Sequence, residues 1–236
     1  MSISLKRAGA IFVKDYKEFS RNYGVSISLI VPILFAFLFR SAGPSLPGAI
    51  GFLLNTSFVL LTCLVQACLI AEEKERNTLR SLMMTPATTM DVLIGKSSLV
   101  FVISAVVLAI ATYIMGYEPA SILAFAAAII FSIILYTAAG TICGLFSKTL
   151  LEASLSVIPV LFVFTSAPYG ALLVKDFPIF KVLEYVPSTQ LVYFLEISNI
   201  SFTTGDLLKP LLIILAWTVV LTFVSVVLYQ RRLKDE

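Results

Sequence analysis

The chain has 236 residues, 59% of them hydrophobic and 13% charged, with a formal net charge of +3. Soluble domains are nearer half apolar and a quarter charged, so the composition excludes an ordinary water-soluble fold, and the small positive excess argues against a nucleic-acid partner. No histidine is present, and Cys63, Cys68 and Cys143 all fall in apolar runs; this removes imidazole metal sites and histidine acid–base chemistry and leaves the thiols as small packing groups.

In chain order, residues 3–21 form the first predicted element. Leu5, Ala8, Phe12, Tyr16 and Phe19 recur at intervals of three or four, with Lys6, Lys14, Lys17 and Arg21 opposite. That spacing predicts an amphipathic helix in the membrane interface, its basic face toward water and lipid headgroups. No apolar core followed by a small-residue cleavage site is seen in this stretch, so a cleavable leader is not expected.

Six uncharged runs follow, each long enough to cross a bilayer, for which about 20 apolar residues suffice. The expected spans are about 23–40, 49–71, 93–116, 120–146, 153–174 and 208–229. Pro32 in the first span and Pro159 and Pro168 in the fifth predict kinks. The fold class is all-α: a single polytopic domain of six transmembrane helices with an interfacial helix before them. Alternate connections and the two termini carry thirteen of the Lys and Arg residues, and the opposite set carries four. The excess of positive charge predicts that both termini are cytoplasmic and that the protein lies in a cell membrane. On the other side, residues 175–207 form the longest connection. Phe177, Phe180, Leu191 and Phe194 make it too apolar to hang in water, so short surface or re-entrant helices are expected there, broken at Pro187.

Between the second and third spans lies a polar island, Glu72-Glu73-Lys74-Glu75-Arg76-Asn77-Thr78-Leu79-Arg80, six of whose nine residues are charged. Leu79, Leu82 and Met83 stand at i, i+3 and i+4 and form a small apolar face. Glu72, Glu73, Glu75 and Arg76 supply charges at its rim, and Pro86 closes the segment. Further on, Gly95-Lys96-Ser97-Ser98 has the look of the end of a phosphate-binding loop. That pattern needs a glycine five positions before Gly95, where Met90 stands, so nucleotide binding is rejected. No Gly-x-Ser-x-Gly, His-Glu-x-x-His or intramembrane carboxylate pair occurs, and the chain is not expected to be an enzyme. Lys96 and Glu152 sit at span ends, where they are expected to reach water. Without a buried relay of ionisable groups, the chain has no evident energy source of its own. Asn55, Gln66, Thr137 and Thr165 are candidate lining groups for a route between helices, against the plainer role of interhelical hydrogen bonding.

The run Glu72 to Pro86, followed by Asp91 and then Gly95-Lys96 at the start of the third span, resembles the type-2 ABC transporter permeases. The six-span layout extends the resemblance over most of the chain. Gly140 and Gly144 before the short Ser147-Lys148 turn agree with it, as does Tyr185-Val186-Pro187 before the last span. Asn77 stands where the family has glycine, and Arg80 where it has an acid. The resemblance implies the membrane-spanning subunit of an exporter. It would work with a second permease, identical or different, and two copies of a separate ATPase subunit that bind ATP and magnesium. Residues 72–90 would then carry a cytoplasmic coupling helix docked on the ATPase through Glu72, Glu73, Glu75, Arg76, Leu79, Leu82, Met83 and Pro86. No cofactor is expected in the chain itself. The readings that compete are a non-transporting assembly or receptor subunit, and a stand-alone channel or carrier.

Overall fold

A computed structural model describes residues 5–41, 48–76, 89–119, 121–175, 177–198 and 204–235, all of whose regular elements are helical. Six helices are long and apolar enough to cross a membrane. They are α2 (Tyr23–Ser41), α3 (Ala49–Glu75), α4 (Thr89–Met115), α5 (Ile122–Phe146), α6 (Leu150–Ala171) and α8 (Thr204–Asp235). Among the described residues two shorter α-helices accompany them: α1 (Leu5–Arg21) ahead of the spans and α7 (Pro187–Ser198) between α6 and α8. The chain is a multi-pass membrane protein.

The helices gather around α3. Of its apolar window 89% is buried, against 17% for the windows in α6 and α8. A helix apolar on every side and enclosed on every side is the centre of its bundle. It packs on α5 and α6, with α2, α4 and α7 closing the remaining sides; α8 lies against α5 and α7, and α1 against α4. Lipid tails are as apolar as leucine, so helices in a bilayer are held by close packing and hydrogen bonds rather than by expulsion from water. Gly140 and Gly144, one turn apart on α5, provide the close packing. A Cβ on Gly140 would collide with the Cys63 carbonyl, and one on Gly144 would stand 2.6 Å from the Ala67 carbonyl oxygen. Hydrogen bonds add to this: Thr62 Oγ1 donates to Ser104 Oγ at 2.8 Å, and Gln66 Nε2 donates to Thr141 Oγ1 at 3.0 Å. One turn before Thr62, Phe58 stacks on Tyr136 with ring centroids 5.2 Å apart.

Helix irregularities have local causes. Pro32 has no N–H to offer the Ser28 carbonyl, and α2 tightens to a 3-10 turn at Ile27–Leu29 just before it. α3 widens to a π-helical turn at Phe58–Cys63. Gly116, at φ 75°, ends α4: its N–H reaches the Tyr113 carbonyl and that of Tyr117 reaches Thr112. This is the reciprocal closure that a left-handed residue permits. At the start of α6, Thr149 Oγ1 accepts from the Glu152 N–H at 3.2 Å, and Glu152 Oε2 accepts from the Lys148 N–H at 2.7 Å. Glu152 is therefore a capping residue at the surface.

In the long connection, the residues from Pro178 to Tyr185 wind into a 3-10 helix that leaves Ile179 and Val182 exposed. Pro187 begins α7, where a missing N–H is harmless, and Leu191, Phe194 and Leu195 of α7 enter the central core.

Candidate functional site: the charged end of the second span

Four consecutive residues of the polar island, Glu72 to Glu75, end α3, and each is fixed by its own contact. Glu72 Oε1 pairs with Arg76 one turn on, at 2.6 Å. Glu73, 2% exposed, lies between two lysines: its Oε1 is 3.0 Å from Lys96 Nζ and 3.1 Å from Lys14 Nζ. Lys74 Nζ donates to the Leu145 and Ser147 carbonyls at 2.7 and 2.8 Å, placing a cation where α5 ends and its carbonyls lack helical partners. Glu75 Oε2 accepts from the Leu150 N–H at 2.8 Å, placing an anion at the start of α6.

The arrangement around Glu73 is a buried charge cluster joining three helices. Lys96 of α4 has no solvent exposure. Its three N–H bonds go to Asp15 Oδ2 of α1 at 3.1 Å, to Glu73 Oε1 of α3 and to the Leu69 carbonyl at 3.3 Å. That uses the full donor capacity of an ammonium group. Lys14 lies at the rim, also 3.8 Å from Asp15 Oδ1 and 3.7 Å from Glu18 Oε2. Asp15, Glu73, Lys14 and Lys96 sum to zero charge, the condition on which buried ions are tolerated. Burial raises the Asp15 carboxyl above its usual 3.8; Lys96 pulls it back down and Glu73 adds to the rise. For Lys14 burial opposes the charge, but Glu73, Asp15 and Glu18 outweigh it and hold the amine above its usual 10.5. A second pair, Arg7 Nε to Asp91 Oδ2 at 3.0 Å, ties the start of α1 to the start of α4.

Close backbone approach makes this cluster possible. A Cβ on Gly95 would lie 2.9 Å from both the Ala8 carbonyl oxygen and Ile11 Cβ. Glycine there lets α1 settle directly on α4, which brings Asp15 to Lys96. Around the charges Ile11, Ile70, Val92, Leu93, Leu145 and Tyr229 form a shared apolar cluster from five helices.

Two expectations change. Lys96 does not reach water but is sealed inside. On α1 the buried stripe is Ala8, Ile11, Asp15 and Phe19, with Phe12 partly covered, while Tyr16 is 55% exposed and Lys6 and Lys17 point outward. An acid therefore occupies the inner face, and Lys14 leaves the solvent-facing set to meet Glu73. Glu73 and Glu75 are engaged within the chain, whereas Arg76 is exposed. Leu79, Leu82, Met83 and Pro86, like Asn77 and Arg80, lie outside the described residues. The sequence did hold a signal for the cluster: an acid at position 15 in register with Ala8, Ile11 and Phe19, and a lysine seven residues inside a spanning helix. Comparison with protein-family models and with curated proteins finds no match.

The four candidate lining residues are dispersed. Gln66 is fully buried and joins α3 to α5. Thr137 lies in a cavity of about 560 Å³ between α4, α5 and α8, where Ser97, Thr141, Thr222 and Ser225 also contribute hydroxyls. Asn55 and Thr165 come together in a cavity of about 260 Å³ between α3, α6 and α7, at the end of the bundle away from α1. Among the described residues no group of three or more His, Cys, Asp or Glu is arranged to hold a metal ion.

Proposed function

We propose that this chain is the permease subunit of an ATP-driven ABC exporter, paired with a second permease and moved by separate ATPase subunits that bind ATP and magnesium. The charged end of α3 and both termini would lie in the cytoplasm. The observation that carries this reading is the Asp15–Lys96–Glu73–Lys14 cluster together with the flanking bonds of Lys74 and Glu75. A partner can only drive a membrane domain through an element that fits two partner states differently and moves without bending. Here the last turn of α3 is bonded to α1, α4, α5 and α6. A displacement applied to the segment that follows Arg76 therefore reaches four other helices as one body. The resemblance of residues 72–96 to the type-2 permeases supplies the identity of the partner, and the positive-charge asymmetry supplies the orientation.

The test is affinity capture of the tagged chain from its native membranes. A nucleotide-binding ATPase is expected in the eluate, and it should be lost when Leu79 to Met84 are deleted while the six-span bundle is retained. An eluate with no ATPase, or one unchanged by the deletion, removes the proposal. Transport by the purified chain alone, with neither ATPase nor ATP, would instead establish a stand-alone carrier.

A further inference from the structure

The end of the bundle opposite the charge cluster contains a built pocket. Its wall is apolar at Phe52, Pro168, Leu172 and Val192 and polar at Asn55 and Thr165. Asn55 is 2% exposed, and its Nδ2 donates to the Ser188 carbonyl at 3.2 Å. That bond fixes the amide, since only its nitrogen can donate. The Oδ1 at the other end is buried and has no hydrogen-bond partner among the described residues. Next to this bond, the hydroxyl oxygens of Ser188 and Thr189 at the start of α7 are likewise buried with no hydrogen-bond partner among the described residues. Unpartnered buried acceptors are costly, by about 1–3 kcal/mol each, and a vacant acceptor in the wall of a cavity is where a ligand N–H or O–H gains most.

Tyr193 and Glu196 belong both to this pocket and to a second cavity, of about 560 Å³, between α7 and the start of α8. Among the described residues, the second cavity adds Glu184 and Asp206 and one cation, Lys209. Burial and the Glu184 and Glu196 carboxylates hold the Tyr193 phenol above its usual range, the response expected of an acid in a negative field. The two cavities share Tyr193 and Glu196, so a small, mostly apolar chamber with an unpartnered acceptor borders an acidic vestibule at Glu196.

We propose that this site binds an amphipathic organic cation, with its apolar body between Phe52 and Val192, a donor on Asn55 Oδ1 and its ammonium group at Glu196. The chamber is below the roughly 300–1,000 Å³ usual for drug-sized ligands, so it takes only a small ring system, and the remainder of the ligand extends into the vestibule. The site deepens the permease reading, on which its role as a substrate site depends, but its binding chemistry stands on these residues alone.

The experiment is equilibrium dialysis of radiolabelled propranolol against the full chain in lipid nanodiscs, with empty nanodiscs subtracting partition into lipid. Propranolol carries a naphthyl ether, a hydroxyl and a secondary ammonium. Saturable binding is expected, at least tenfold tighter than for the naphthyl ether diol that lacks the amine. Methylating the hydroxyl is expected to weaken it about tenfold. Glu196→Gln, at an exposed position that leaves the packing intact, is expected to weaken propranolol at least tenfold and to leave the diol unchanged. Absence of saturable binding, equal affinity for amine and diol, or no effect of Glu196→Gln would overturn the proposal. No ATPase is present in the assay, so failure here with ATPase capture intact removes only the cation site. Cation binding without ATPase capture removes the permease reading and leaves the site standing.

Discussion

Replacing Lys96 by methionine should release α1 from the bundle. The lysine lies 3.1 Å from Asp15 and 3.0 Å from Glu73, with no solvent exposure. At an effective dielectric constant near 20, each such pair is worth about 5 kcal/mol of Coulomb attraction before desolvation is charged against it. Losing one partner of a buried pair typically costs about 3–5 kcal/mol, because the remaining charge is stranded. Methionine preserves most of the volume, so the loss is electrostatic. In the variant Asp15 and Glu73 share only Lys14, and the cluster acquires a net negative charge. Adding Asp15→Asn returns the count to zero and leaves Lys14 with Glu73, so the double variant should be more stable than Lys96→Met alone. Hydrogen exchange of the residue 5–21 amides, in detergent or nanodiscs, measures α1 opening. Each 1.4 kcal/mol is a factor of ten, so Lys96→Met should lower protection by about 100-fold or more and the double variant should recover at least tenfold. Additive losses in the double variant, or full protection in Lys96→Met, would refute the claim that these charges hold α1 in place.

Three further outcomes follow from the same structure. Gly95→Leu should also undock α1, because the Ala8 backbone blocks the added side chain; exchange should rise in residues 5–21 with the α3–α5 contact unchanged. Gly144→Leu should do the reverse: it meets the Ala67 carbonyl and Ile70, should cost about 1–3 kcal/mol as an overpacked contact, and is checked by denaturant unfolding in micelles. Lys14 is held above 10.5 despite burial. A group whose pKa is raised on folding stabilises fully below its unfolded value and loses that contribution as pH rises through the folded one, so the Lys14 contribution to α1 protection should be lost only above about pH 10.5, and Lys14→Ala should remove that alkaline component from a pH series of exchange rates.

The sequence made the spans legible because a bilayer imposes length and apolarity directly: 18 or more uncharged residues have few other uses. It did not show which span is central. The second span is less apolar than the sixth, with mean hydropathy 2.0 against 2.8, yet it is the enclosed one; only packing separates α3 from the outlying α8. The glycines were visible, but not what they touch. Gly140 and Gly144 meet α3 across some 75 residues of chain, and Gly95 meets α1 across about 85. The charge cluster was missed for a related reason. Taken singly, Lys96 near a span end suggests a side chain reaching for water, and Asp15 among lysines suggests a solvated face. Only Asp15's place on the stripe of Ala8, Ile11 and Phe19 conflicts with that reading, and the conflict is resolved by a partner 81 residues away.

The same cluster bears on how motion crosses the protein. A loose loop after α3 would absorb a push by changing its own backbone angles. The end of α3 is bound too well for that. Glu73 fastens it to α1 and α4, Lys74 to the end of α5, and Glu75 to the start of α6. Because α5 and α6 are joined by a turn of only three residues, Ser147 to Thr149, fixing both of their ends fixes the turn as well. The charged end of the bundle therefore behaves as one block. At the opposite end two cavities border α7, one toward α3 and α6 and one toward the start of α8, and among the described residues Asn55 keeps an unused acceptor. Compliance is concentrated there, so tilting of the block should be taken up around α7 and the start of α8. Nitroxide pairs placed across α6 and α8 at both ends would test this: on addition of the proposed ATPase, once captured, with ATP, distances should change at the α7 end and hold constant at the charged end. Equal changes at both ends would mean that the helices bend independently and that the cluster does not bind them into a unit.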